Sequence, residues 1–177
     1  ESKFYRVSGS STQNLGVEPD INLPTLFNID ELGESSLDRA LDHDSIPGTT
    51  VKNFNRVSNF KDILRKLSLD RVEESPLFKS IKARKQWQSE NKSEFLDLNL
   101  DKRIEQKNSI EKFLLANENN LRGSLNLPTY ESYKDFMDRE DDPESLDIES
   151  EILGEAANIL IDLVELKKEP LMAMNQK

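Results

Sequence analysis

The run Ile148-Glu149-Ser150-Glu151-Ile152-Leu153-Gly154-Glu155-Ala156-Ala157-Asn158-Ile159-Leu160-Ile161-Asp162-Leu163-Val164-Glu165-Leu166-Lys167-Lys168 places apolar side chains at helical spacing throughout. Ile148, Ile152, Leu153, Ala156, Ile159, Leu160, Leu163 and Val164 form one wide stripe, whereas a half-buried strand would alternate. Acidic residues fill the first turns and Lys167-Lys168 the last, so both ends complement the helix dipole. The reading is a helix over residues 146 to 168, ended by Pro170. A helix this long, with so wide an apolar face, needs other helices to cover it, which makes the class mainly α.

The same period recurs upstream. Phe60, Ile63, Leu64 and Leu67 fall at i, i+3, i+4 and i+7 and predict a helix over 58 to 74, with Ser58 or Asn59 as its cap. Ser75-Pro76 restarts a helix, a capping serine before a proline at the first helical position, and Leu77, Phe78, Ile81 and Trp87 supply its apolar side to residue 91. A third helix over 101 to 121 uses Ile104, Ile110, Phe113, Leu114 and Leu121 and stops at Gly123 in a left-handed C-cap. Between the last two, Phe95, Leu96, Leu98 and Leu100 read as a short extended stretch, and 125 to 142 as loop with a short helix around 133 to 137.

Residues 3 to 23 differ. Lys3-Phe4-Tyr5-Arg6-Val7 alternates charge and bulk, Ser8-Gly9-Ser10-Ser11 is a turn cluster, and Gly16-Val17-Glu18-Pro19-Asp20-Ile21 is a second extended piece, which together predict a β-hairpin-like segment. Two strands alone are marginal in water, so this segment needs a surface to lie on. From 24 to 55 the expectation is an irregular connector with a turn or two of helix at 30 to 32 and 35 to 41, Ser35 or Ser36 capping the second, held by Leu26, Phe27, Leu37, Leu41 and Ile46. The fold class is thus mainly α: an irregular helical domain of four main helices preceded by a short β-hairpin-like segment. The start at Glu1, in place of Met, with a strand-like pattern by Lys3, reads as a boundary inside a longer protein.

The 177 residues carry 34 acidic against 24 basic side chains, a formal charge of −10. An acidic chain without a basic tail is poorly suited to nucleic acid or an anionic membrane. No cysteine is present, which removes disulfides, zinc-thiolate sites and thiol nucleophiles. The apolar-rich run 152 to 166 is broken by Glu155, Asn158, Asp162 and Glu165, so no membrane span is expected.

Motifs for chemistry are weak. Asp97, Asn99 and Asp101 imitate the first ligands of a calcium loop, but Lys102 stands where glycine is needed and Asn108 where a bidentate glutamate belongs. His43, the single histidine, sits in the polar stretch Asp42-His43-Asp44 and reads as a solvated or surface-paired imidazole. Ser-x-x-Lys spacing occurs at Ser58/Lys61, Ser89/Lys92 and Ser109/Lys112, against about 1.5 pairs expected by chance from 18 serines and 15 lysines. A Ser/Lys dyad needs a neutral amine in a dry pocket, and these pairs lie on polar faces. Lys79, Lys82, Arg84 and Lys85 with Trp87 make one basic patch containing an aromatic, read as a solvated helix face. Residues 138 to 151 hold eight acids against one arginine and read as an acidic linker, with docking on a basic partner as the alternative. No catalytic residue, cofactor site or metal site is assigned.

The N-terminal segment carries a resemblance. Lys3-Phe4-Tyr5-Arg6-Val7-Ser8-Gly9-Ser10-Ser11-Thr12-Gln13, followed by Gly16-Val17-Glu18-Pro19-Asp20-Ile21, closely resembles the stretch after the catalytic lysine in bacterial carboxy-terminal processing peptidases. Gly33-Glu34 with Ala40-Leu41-Asp42-His43-Asp44-Ser45-Ile46 is similar to the Gly-Glu and Ala-Leu-Pro-Trp-Asp-x-Ile segment of the long, tail-specific branch, departing from it at Asp42 and His43. The helical remainder is similar in pattern to that branch's C-terminal region.

The resemblance implies a periplasmic serine endopeptidase of a Gram-negative bacterium, with a Ser/Lys dyad and a PDZ domain that recognises the nonpolar C-termini of protein substrates. The family's nucleophile and lysine motifs lie before position 1, so no catalytic role passes to any residue here. Residues 1 to 23 are expected to be terminal strands of the protease core and 24 to 177 a helical C-terminal domain that packs on that core, encloses substrate or docks an adaptor protein. An isolated fragment of this kind is expected to fold its hairpin back onto its helices or to pair it with a second copy as a strand-paired dimer. The alternative is an autonomous helical protein-interaction module without a protease parent.

Overall fold

A computed structural model describes residues 3–14, 16–26, 33–50, 57–93, 95–138 and 148–174; for Ser35 and 169–174 it gives the backbone path alone. The described residues form five α-helices and no sheet: α1 (Lys61–Glu74), α2 (Pro76–Glu90), α3 (Leu100–Ser124), α4 (Tyr133–Met137) and α5 (Ile148–Met174). The contacts group into two compact units, one of Glu1–Lys66 with Leu163–Lys177 and the other Leu67–Asp162.

In the first unit the expected hairpin is replaced by single antiparallel bridges, Tyr5 with Ser11 and Ser10 with Ser45. The chain doubles back within 3–12, with Arg6 N–H donating to Ser10 O at 2.9 Å and Thr12 N–H to Phe4 O at 3.1 Å. The outer backbone groups of this tight loop bond to 44–49: Ser11 N–H to Asp44 O, Ile46 N–H to Gly9 O and Thr49 N–H to Val7 O. Backbone groups must find partners, and here a second irregular strip supplies them in place of residues 16–21. Gly9 makes this closeness possible: its φ is +91°, and a Cβ there would stand 2.0 Å from Ile46 O.

Residues 16–21 turn to α1 instead. The Asp20 carboxylate accepts from Lys61 Nζ at 2.6 Å, and its carbonyl accepts from Arg65 at 3.1 Å. Of the side chains expected to hold the connector, Leu26 and Leu41 are half-buried, whereas Leu37 and Ile46 are exposed and 44–49 is tied by its backbone bonds to 7–11; Phe27 and the helical turn expected at 30 to 32 lie outside the described residues. At 35 to 41 the expected helix is a single 3-10 turn, Glu34–Ser36, whose N-cap is Gly33 and not a serine. A second 3-10 turn, Ser58–Phe60, with Val57 as its own N-cap, leads directly into α1.

The second unit holds most of the buried core: Val72, Leu77, Phe78, Ile81, Leu121 and Phe136. Each such side chain contributes on the order of 1.5–3 kcal/mol. α2 begins as expected, Ser75 Oγ accepting from Phe78 N–H with Pro76 in the first turn. α2 packs along α3, and Trp87 stacks on Phe113 with ring centroids 4.6 Å apart. α3 starts from Asn99, whose side chain accepts from Lys102 N–H, and passes through Gly123 to Ser124. The left-handed residue after it is Asn126 (φ 57°), so the terminating conformation falls beyond the glycine. There Leu127 N–H caps Arg122 O and buried Arg122 donates to Pro128 O and, at 3.0 Å, to the Tyr130 hydroxyl. These bonds fix the turn more firmly than glycine's freedom alone. A Ser132/Asp135 capping box then starts α4, and Tyr130 and Tyr133 flank Phe136.

α5 runs past Pro170 to Met174, contrary to the expected stop. Proline deletes one N–H and crowds the carbonyl one turn earlier, yet its fixed φ is itself helical, so the chain resumes beyond it.

Candidate functional site

Three places bring functional side chains together. The first is the strip joining 3–14 to 42–49. Lys3 Nζ pairs with Asp44 at 3.2 Å and donates to Asp42 O at 2.8 Å, while Tyr5 donates its hydroxyl to Asp44 at 3.1 Å. Burial works against the Asp44 charge, but Lys3, Tyr5 and Ser11 outweigh it and hold the carboxyl below the usual carboxylate range. His43 is exposed, with Nε2 3.1 Å from Ser10 Oγ. With Asp44 committed to Lys3 and Tyr5, and with the imidazole in solvent, this contact is a surface pair of the kind expected for His43.

The second is a charged cluster between α1 and α5. Glu155, only 6% exposed, sits within the apolar stripe of α5. Arg71 reaches it with Nε at 2.9 Å and a terminal nitrogen at 2.9 Å, and its other terminal nitrogen lies 2.9 Å from Asp162. Burial pushes the Glu155 carboxyl up, and Arg71, then Ser68 and Asn158, more than reverse this and hold it below the usual range. In turn Glu155 keeps the Arg71 guanidinium firmly protonated. Ser75 Oγ adds a bond to Glu151 at 3.0 Å, a second tie from the start of α2 to α5. The signal for this cluster was present as an acid at a stripe position, where a buried carboxylate needs a cation.

The third is an open groove along α2 and α3 of about 750 Å³, lined among others by Trp87, Leu96, Arg103, Ile104, Lys107 and Ile110. Of the basic patch only Trp87 lines it, half-buried against Phe113, while Lys79, Lys82 and Lys85 are exposed on α2 and do not line the groove.

The other sequence candidates find local roles. Asp97 pairs with Lys102 at 2.8 Å and accepts from Asn99 N–H, contacts that hold its carboxyl low, and Asn99 is the α3 cap. The calcium-like spacing is therefore a helix start. Lys61, the cation of one Ser/Lys pair, is bound by Asp20 at 2.6 Å. Ser89 and Lys92 lie exposed around the end of α2, and Ser109 and Lys112 on α3 are exposed as well. Among the described residues no three acidic or histidine side chains group as a metal site would require, and no helix is long and apolar enough to cross a membrane. Most of the acidic run lies at 139–147, outside the described residues.

The family model for the C-terminal domain of tail specific protease matches residues 27–165. The chain belongs to that family. A similar curated protein is the tail-specific protease of Haemophilus influenzae, 33% identical over 168 residues that cover 92% of this chain. The match takes in 23% of that relative's length, so the chain corresponds to a minor part of it. Within the tail-specific protease C-terminal domain, the matched region spans α1, α2, α3 and α4 entire and most of α5, and thus both the Arg71–Glu155 cluster and the α2–α3 groove.

Proposed function

We propose that the chain is the non-catalytic C-terminal helical portion of a periplasmic serine endopeptidase that processes or degrades proteins from their nonpolar C-termini. In this reading a Ser/Lys dyad elsewhere in the parent performs the hydrolysis, and the helical domain packs on the protease core, encloses substrate or docks an adaptor. The family match over 27–165 carries the reading. Its start near residue 24 suits the division into terminal strands of the core, 1 to 23, and a helical domain, 24 to 177. The side chains agree with a domain that lends no nucleophile: each Ser/Lys pair has its lysine exposed or ion-paired. Apolar side chains exposed on α5, Leu153, Leu160 and Ile161, offer surface for a larger partner such as the core.

The test is complementation. A protease core expressed without this region is mixed with the 177-residue chain, and association is followed by sedimentation together with cleavage of a reporter ending in apolar residues. Association with a gain in cleavage is expected. A core that neither binds the chain nor responds to it contradicts the reading.

A further inference from the structure

The α2–α3 groove leaves apolar side chains and the basic Arg103 and Lys107 exposed along the helix pair. Trp87, Ile104 and Ile110 form its apolar lining, with Phe95, Leu96 and Tyr133 beside them. Six large apolar side chains stand more than 70% exposed among the described residues; two of them, Phe95 and Leu96, line the groove, and Leu98 and Leu100 follow in the same segment. Exposed apolar residues concentrated at one concavity mark a contact surface, where scattered ones do not.

The charge chooses the occupant. The chain carries −10, yet the charged residues lining the groove are two basic, Arg103 and Lys107, against one acidic, Glu111. On the groove itself, Lys107 lies 3.6 Å from Glu111, whereas Arg103 makes only a long 3.5 Å contact to Gln106 and has no carboxylate in ion-pair range among the described residues. A guanidinium at the rim of an apolar trough suits a bulky side chain with a carboxylate next to it. A nucleic-acid strand fits less well, because Phe113 already occupies one face of Trp87 and so removes a stacking surface.

We propose that this groove docks an acidic, apolar peptide segment of a partner protein, its bulky side chain against Trp87, Ile104 and Ile110 and its carboxylate on Arg103. The proposal goes beyond the protease reading and does not depend on it, since it concerns only the groove formed by α2, α3, the segment between them and Tyr133.

Trp87 is the single tryptophan of the chain, so its fluorescence reports the groove directly. The full 177-residue chain is titrated with acetyl-Glu-Leu-Phe-Glu-Leu-amide and with the peptide in which both glutamates are lysine. Saturable change with the acidic peptide is expected, with affinity at least about tenfold above that of the basic one. Arg103→Glu should reverse the preference and Arg103→Gln abolish it, both variants keeping wild-type helix content by circular dichroism; Ile110→Asp should remove binding. Equal binding of the two peptides, no saturable response, or a preference unchanged by Arg103→Glu overturns the proposal. So does tighter binding of an oligothymidylate, or a dimer in sedimentation that Ile110→Asp dissolves, which would make the occupant a nucleic acid or a second copy.

Discussion

Arg71 and Glu155 meet across 84 residues of sequence in a forked pair, both nitrogen-to-oxygen contacts at 2.9 Å, and so bind α1 to α5. The carboxylate is buried and the guanidinium about one-third exposed, which makes removal of one partner costlier than the pair's net contribution. Glu155→Ala is expected to lower stability by about 2–3 kcal/mol, while Arg71→Met with Glu155→Leu recovers most of it. Urea unfolding of the three variants measures this. A double variant no better than the single one would show that the pair has a strongly favourable net contribution.

The same pair sets a pH dependence. Because Glu155 ionises more easily folded than unfolded, its contribution is present above the ordinary glutamate range and is lost as pH falls through that range and below the folded value. Glu155→Gln should flatten the acid limb of the stability curve and leave its shape near neutral pH unchanged. An acid limb of wild-type steepness in Glu155→Gln would assign the pH dependence to other carboxylates.

Gly9 closes the strip between 3–12 and 44–49. With φ at +91° and no space for a Cβ against Ile46 O, Gly9→Ala should cost about 1–3 kcal/mol of local stability. Hydrogen exchange reads it out: the amides of Ile46 and Thr49, which bond to Gly9 O and Val7 O, should exchange faster, while those of α3 stay protected. Unchanged exchange at both amides would refute the tight approach.

The Trp87–Phe113 stack braces α2 against α3 at the groove. Phe113→Ala should cost about 2 kcal/mol, less than a fully buried phenylalanine because both rings remain partly exposed, and should shift Trp87 emission to the red. Emission unchanged in the variant would mean that the stack does not shield the indole.

Much of the helical framework was readable from local signals. Ser75-Pro76 and the i, i+3, i+4 pattern of Leu77, Phe78 and Ile81 place α2 because both its cap and its stripe are encoded within a few residues. Where a boundary depends on tertiary bonding, the local signal misleads: Gly123 invites a stop, but Arg122, Pro128 and Tyr130 put the turn beyond it. Likewise 16–21 looks like a hairpin partner for 3–7, while Asp20 is taken by Lys61 and Arg65. Of the candidate sites, the buried acid at Glu155 was visible as a break in an apolar stripe, but its cation was not, lying in another helix. The groove was invisible as a whole, since it joins Trp87 to Ile104 and Ile110 through a helix pairing that no sequence window contains.

In the function proposed above, this chain serves a tail-specific protease without supplying its nucleophile. The most direct measurement is hydrolysis of a reporter protein ending in apolar residues by the 177-residue chain and by a whole protease containing it. No turnover by the chain and turnover by the whole protein is the predicted result. Turnover by the chain that disappears in Ser58→Ala, Ser89→Ala or Ser109→Ala would place a nucleophile in this chain and contradict its non-catalytic role.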